Sequence, residues 1–323
     1  MQLRLLDEEA LRDLVDMPAA IAAVRAGFDA LWKGGAEVPV RTALVDGGAT
    51  TLVMPARLTD ASALGLKVVT VRPENRDRGL PAIHAVILLI EPDTGVPIAV
   101  LDAEWLTALR TGAATGVATD LLARSDAAVL GVVGAGAQAF EQVRAVATVR
   151  PLEEVRIMSR GGASAERLAT RLVTEGVVGR ARAVPSASQA VVGADIVVTV
   201  TDSHTPVIDD ADIAPGTHLN AVGGYRRDMQ ELPVTLVGRA DLVVVDQLEG
   251  ALAEAGDVTA AVDAGLITLE ALVELGALTS GDRLGRTNPE QVTVFKSVGN
   301  AIQDLVVASL ALDRARAADP SGP

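Results

Sequence analysis

Apolar residues recur at helical spacing through Leu11, Leu14, Val15, Ile21, Val24, Phe28 and Leu31, so Asp7 to Trp32 reads as helical with Asp7 as a cap. The pattern then shortens into β-rich runs: Val38–Val45, Thr50–Met54, Gly65–Val71, Ala85–Ile90 and Pro97–Leu101. Gly, Pro and Asp separate them, which predicts a mostly antiparallel, strand-rich region. Ala103 to Ala123 is again helical, with small residues at Thr111–Gly116 that suit close packing. From Ala127 to about Asp246, strands (Val129–Val133, Glu154–Met158, Ile196–Val200, His218–Val222, Leu242–Val245) alternate with helices such as Ala163–Glu175 and Ala187–Val192. That βαβ rhythm predicts an α/β fold with a doubly wound parallel sheet. Val292–Phe295 reads as a further strand, Val298–Ala318 as a final helix that returns to the first region, and the tail Asp319–Pro323 as frayed.

A chain of 323 residues, 49% apolar, has room for two domains with sizeable cores, and with 2% aromatic residues Ala, Val and Leu must fill them. Its net charge of −14 makes nucleic acid and anionic membrane poor partners, so an anionic substrate would need a local basic pocket. The absence of cysteine removes disulfides, thiolate metal sites and a Cys nucleophile. Three scattered His without HxxH spacing argue against a metal site. The first residues lack the apolar core of a signal peptide, and no uncharged apolar run is long enough for a membrane span, so a cytoplasmic protein is the expectation.

The sharpest chemical signal is Gly134-Ala-Gly136-Ala137-Gln138-Ala139, set between a strand and a helix. Gly134 permits the tight turn, Gly136 lets a pyrophosphate approach bare backbone, and Ala139 still allows close helix–strand packing. The first helical amides then face the phosphates. A NAD site places an Asp or Glu at the end of the second strand, about 20 residues on. Here that position reads Ser159-Arg160, donors suited to a 2′-phosphate, so NADPH is the expected cofactor and NADH the alternative. The competing reading makes Arg160 an ordinary solvated arginine.

Taken with Val38-Pro-Val-Arg41, Met54-Pro-Ala, Leu66-Lys67, Gly79-Leu-Pro81, Leu106-Thr-Ala-Leu-Arg110-Thr111-Gly, Asn220-Ala-Val-Gly223 and Phe295-Lys-Ser-Val-Gly299, this motif makes the chain resemble the ornithine cyclodeaminase/μ-crystallin family from about Val38 to Leu310. The resemblance implies a Rossmann-type domain, residues 116–295, inserted into a discontinuous α+β substrate-binding and dimerisation domain, residues 1–115 plus 296–323. It also implies a homodimer formed through the second domain's sheet, and nicotinamide-dependent chemistry at the α-carbon of small amino and imino acids.

Arg41, Lys67 and Arg110 then match the family's carboxylate-binding cations. A Lys67 side chain pointing inward from its apolar strand would be partly desolvated, with a lowered pKa suited to exchanging a proton with the substrate nitrogen. Met54 is expected beside the substrate. His84 is read either as a pocket group or as a satisfied structural histidine, while His204 and His218 read as structural. Thr111, Gln138, Thr199, Thr201, Val222, Ser297 and Gly299 are the further expected cofactor contacts. Tyr225 stands where ornithine cyclodeaminases carry an Asp directly after the glycine pair, which points instead to the ketimine-reductase branch. Asp228, three residues on, is the remaining candidate for a direct catalytic carboxylate there. The expected reaction is NADPH-dependent reduction of a cyclic imino acid. The alternatives are a cyclodeaminase, an alanine dehydrogenase-like enzyme and a non-catalytic binding protein.

Overall fold

The computed structural model describes residues 3–60 and 62–319, so all but the first residue of the expected frayed tail lies outside the described residues. In chain order the elements are β1 (Arg4–Leu6), α1 (Glu8–Leu14), α2 (Met17–Trp32), β2 (Ala36–Glu37), β3 (Thr42–Asp46), β4 (Ala49–Leu58), β5 (Leu64–Val71), β6 (Ile83–Ile90), β7 (Pro97–Asp102) and α3 (Glu104–Leu122). Then follow β8 (Val129–Val133), α4 (Ala139–Val149), β9 (Glu154–Met158), α5 (Ala163–Thr174), β10 (Ala181–Ala183), α6 (Ala187–Val191), β11 (Ile196–Thr199), β12 (His218–Ala221) and α7 (Val234–Arg239). The last are β13 (Leu242–Val245), α8 (Leu248–Glu254), α9 (Gly256–Asp263), β14 (Leu272–Glu274), α10 (Leu275–Thr279), β15 (Thr293–Lys296) and α11 (Ala301–Ala318). The chain forms two compact units, residues 1–110 with 300–323, and residues 111–299. The breaks differ from those read in the sequence, 115/116 and 295/296. On the return crossing the new element begins at Asn300, whose side chain caps α11 by accepting from Ile302 N.

In the first unit, the long helical stretch expected from Asp7 to Trp32 is two helices. The Asp16 side chain accepts from Ala19 N and Pro18 lies in the first turn, so α2 starts afresh there. The sheet order is β1-β7-β6-β5-β4-β2, with β3 also paired to β4; β1 runs parallel to β7 and the other pairs are antiparallel. Burial alternates through Thr50–Arg57 of β4 and Leu64–Thr70 of β5, so one face is core and the other is open. The core face carries Met54, Lys67 and Ile87, which are register neighbours across β4, β5 and β6. Helix α11 lies in contact with these three strands and with α2. At Gly65 a Cβ would meet Leu88 O of β6 at 2.7 Å, so the neighbouring strand, and not α11, keeps that position bare.

The second unit is an eight-stranded, wholly parallel sheet in the order β10-β9-β8-β11-β12-β15-β13-β14. Successive residues of β11 enter opposite layers: Ile196 and Val198 pack with Leu130, Val143 and Leu172, and Val197 packs with Leu219, Val243 and Val294. The order turns at β8 and β11, the topological switch point at which open α/β sheets bind ligands beyond their strand ends. Among the described residues no helix is long and apolar enough to cross a membrane.

Candidate active site

The first unit encloses a cluster of charges in an apolar interior. Lys67 projects from β5 onto the core face, where Met54 and Ile87 flank it. Its Nζ donates to Asp304 Oδ1 at 2.8 Å, and Arg110 Nε stands 2.9 Å from the same oxygen. Both side chains of the Lys67–Asp304 pair are at most 3% exposed. Arg110 Nη1 also donates to Gln303 Oε1. Arg41, half-buried just before β3, adds a further positive charge that acts on Lys67. Burial and then the Arg110 guanidinium push the Lys67 ammonium down to about 7, with Asp304 opposing them. Asp304 Oδ2 and Gln303 Nε2 are buried with no hydrogen-bond partner among the described residues, one acceptor and one donor still to be satisfied.

Met54, Lys67 and Arg110 lie together on the core side and Arg41 acts on Lys67 electrostatically, but His84 does not join them. It is the register partner of Thr70, on the opposite face of the sheet from Lys67, half-exposed and 3.5 Å from Glu104 Oε2. The alternation of β6 fixes this: Ile87 is on the core face, so His84, three residues earlier, is not. Asp304 and Gln303 escaped sequence analysis. Their one signal was a polar pair in an otherwise apolar helix (Ala301-Ile-Gln-Asp-Leu-Val-Val), the pattern of a buried group with a partner.

The second unit carries the glycine turn between β8 and α4. Gly134 has φ +113° and a Cβ there would lie 2.4 Å from Val200 O, so only glycine fits. At Gly136 an added Cβ would meet nothing within 4 Å, which leaves bare, open backbone. Ala137 beside it is exposed, and Gln138 precedes α4 without making a side-chain cap bond. Gln138 Oε1 and Thr199 Oγ1, at the end of β11, are buried without a hydrogen-bond partner among the described residues. An open glycine cradle at a helix start, beside unsatisfied polar atoms at a strand end, fits a dinucleotide. Ser159 and Arg160 follow β9; Ser159 Oγ accepts from Ala165 N, and the Arg160 side chain is 89% exposed, 3.3 Å from Asp202 Oδ1.

Three buried carboxylates organise the neighbouring strand ends. Glu231 accepts from Thr201 N and Oγ1 at 2.7 and 2.8 Å and from Gly223 N and Gly224 N at 2.7 and 3.2 Å. Asp257 accepts from Glu231 N and Leu232 N and pairs with buried Lys296 Nζ at 2.7 Å. Asp246 Oδ2 takes Ser297 Oγ, Val298 N and Gly299 N, each at 3.0 Å. Burial raises the carboxyls of Glu231 and Asp246 above the usual range. Thr201, Ser297 and Gly299 are thus held by carboxylates the sequence reading passed over, while Thr111 and Val222 are buried in the same unit.

Asp228 does not suit the catalytic role considered for it. Its two oxygens take Arg226 Nε and Nη2 at 2.9 and 2.6 Å, its backbone carbonyl lies 2.7 Å from His204 Nδ1, and the side chain is largely exposed. The arginine holds its carboxyl below the ordinary carboxylate range, which makes it a weak base and a loop-shaping group. His218 is structural: burial lowers it to about 3, and it sits 2.9 Å from Thr293 Oγ1 and 3.2 Å from Asn220 Oδ1.

The Ornithine cyclodeaminase/mu-crystallin family profile matches residues 4–319. The chain is 39% identical over 307 residues to a Delta(1)-pyrroline-2-carboxylate reductase of Bacillus cereus, with 94% of each chain covered. Among solved structures it is similar to the Delta(1)-pyrroline-2-carboxylate reductase of Thermococcus litoralis in complex with NADH and L-proline (TM-score 0.95, 38% identity, 98% of each chain). It is also similar to an archaeal alanine dehydrogenase dimer with bound NAD (TM-score 0.92, 34% identity, 100% of this chain and 98% of that one). With a profile match over nearly its whole length and the glycine cradle and buried cation cluster in place, the chain belongs to the ornithine cyclodeaminase/mu-crystallin family.

Proposed function

We propose that this protein is a nicotinamide-dependent reductase of a cyclic imino acid of the Δ1-pyrroline-2-carboxylate or Δ1-piperideine-2-carboxylate type. The observation that carries the reading is the buried Lys67–Asp304–Arg110 cluster, in which two cations share one carboxylate oxygen. The surplus positive charge suits a small carboxylate, and Arg110, assisted by Arg41, would hold it. Lys67, poised near neutrality, would give a proton to the substrate nitrogen as the C=N bond is reduced, and would take it back in the reverse direction. Positive charge around the carboxylate keeps the imine polarised. Gly134, Gly136, Ala137 and Gln138 would hold the dinucleotide, with Thr111, Thr199, Thr201, Val222, Ser297 and Gly299 as further contacts. When bound there, the reduced nicotinamide would supply the hydride for the C=N carbon.

A cyclodeaminase needs a base after the Gly223–Gly224 pair, whereas Tyr225 stands there and Asp228 is engaged by Arg226. The likeness to an alanine dehydrogenase keeps an open-chain keto acid with ammonia as the second reading. Consumption of NADPH with cyclic imines and not with pyruvate plus ammonia supports the imine reductase; the opposite pattern would replace it. Within that assay, Lys67→Met should lower kcat by about 100-fold or more and Arg110→Ala should raise KM by about 10-fold or more. The reductive kcat/KM of the wild type should fall as pH rises above about 7, because the donating ammonium is then lost, while oxidation of the cyclic amine should rise through the same range. Wild-type constants in both variants would remove the site assignment.

For the cofactor we favour NADPH, with NADH accepted. The support is the pair Ser159–Arg160, with no carboxylate in it to bind a ribose 2′-OH, and an exposed guanidinium suited to a 2′-phosphate. Arg160→Ala should reduce the NADPH-to-NADH ratio of kcat/KM by about 10-fold or more. An unchanged ratio would make Arg160 an ordinary surface arginine.

A homodimer through the first unit's sheet is part of the proposal. The open face of that sheet presents Leu66, Val68, Leu88 and Val100 half-buried and Val86 exposed, an apolar surface on the side away from Lys67. Light scattering should give twice the 33.2 kDa chain mass, and Val68→Glu should shift it to the single-chain value. A wild-type mass of one chain would exclude the dimer.

A further inference from the structure

We propose that Asp304 is a positioning residue for the reduction: through one buried oxygen it holds Lys67 as the proton donor and Arg110 as the carboxylate anchor in a single geometry. The inference rests on the imine-reductase reading above. Asp304 lies 237 residues from Lys67 in sequence, yet its Oδ1 accepts from Nζ at 2.8 Å and stands 2.9 Å from Arg110 Nε. An oxygen shared in this way couples the two cations, since neither can move without disturbing the other's ion pair. The neighbouring Gln303 Oε1 accepts from Nη1 of the same guanidinium, so two successive side chains of α11 engage it.

The surroundings make this carboxylate matter. Lys67 faces Met54 from β4 and Ile87 from β6, both uncharged. The charged groups acting on it are Arg110, Arg41 and Asp304, and of these only Asp304 favours the ammonium. Without that carboxylate, burial and two guanidinium groups would all favour a neutral amine, which has no proton to give at neutral pH. Asp304 therefore acts on the substrate through other residues: it keeps Lys67 charged and Arg110 aimed.

The test compares wild type, Asp304→Asn and Asp304→Glu by steady-state reduction of Δ1-pyrroline-2-carboxylate across pH, after circular dichroism has established that each is folded. In Asp304→Asn the fall of kcat/KM with rising pH should begin at least one pH unit lower than in wild type, and KM should rise at least 10-fold. Asp304→Glu keeps the charge on a longer arm, so the pH limb should stay within half a unit while KM still rises, because one oxygen no longer serves both cations. A residue that merely stabilised the fold would move neither the limb nor the split between KM and kcat. A folded Asn variant with the wild-type limb overturns the proposal. If only the Glu variant folds, a wild-type KM in it does the same. A wild type that turns over no cyclic imine fails the underlying reading instead, a result distinct from an active wild type whose variants leave the limb in place.

Discussion

A lysine, an arginine and one aspartate oxygen meet inside an otherwise apolar layer, and the electrostatics of the first unit's interior depend on that meeting. Burying ions is costly unless they are paired, and breaking a buried pair by removing one partner typically costs about 3–5 kcal/mol. Here the pairing is incomplete by charge: Lys67 and Arg110 oppose the single carboxylate of Asp304, with Arg41 adding to the surplus. An interior left short of negative charge is poised for a small anion. The buried Gln303 Nε2 and Asp304 Oδ2, which have no hydrogen-bond partner among the described residues, show the same incompleteness in hydrogen bonds. A planar amino or imino acid, with a carboxylate at one end and a basic nitrogen next to it, has the complementary groups.

The second unit uses carboxylates differently. Glu231, Asp246 and Asp257 act as acceptors for backbone amides in the segments that follow β11, β12 and β15, so those loops are held by charge-assisted bonds. The glycine turn needs no such support. At Gly134 the backbone comes so near Val200 O that steric exclusion alone determines the residue, and at Gly136 openness is the useful property. One unit thus concentrates positive charge in its interior, while the other arranges bare, rigid backbone at a glycine turn.

Much of this was legible in the chain. Strands β8 and β13 lie where the apolar runs put them, because buried parallel strands read as continuous apolar segments with sharp ends, while β9 (Glu154-Val-Arg-Ile-Met158) shows itself by alternation. Lys67 on the core face follows from strand alternation, and the same rule, applied to His84, would have excluded it. Short elements were missed for want of signal: β1, β10 and β14 have three residues each, and β1 is held by parallel pairing to β7, which is distant in sequence. The polar pair Gln303–Asp304 was the one local sign of Asp304, and it did not name the partner. An acid in the apolar first half of a helix has meaning only beside its partner, and that partner was 237 residues away. Asp228 was overvalued for the converse reason: its neighbour Arg226 was visible, but not that both of its oxygens would bind there.

The most direct test of the central claim is a crystal structure with pyrrole-2-carboxylate, a planar analogue that cannot be reduced as the imine is. The account predicts its carboxylate within hydrogen-bond distance of the Arg110 guanidinium and its ring nitrogen within reach of Lys67, with the Lys67–Asp304 contact retained. An analogue bound elsewhere, with the cation cluster closed against it, would contradict the account.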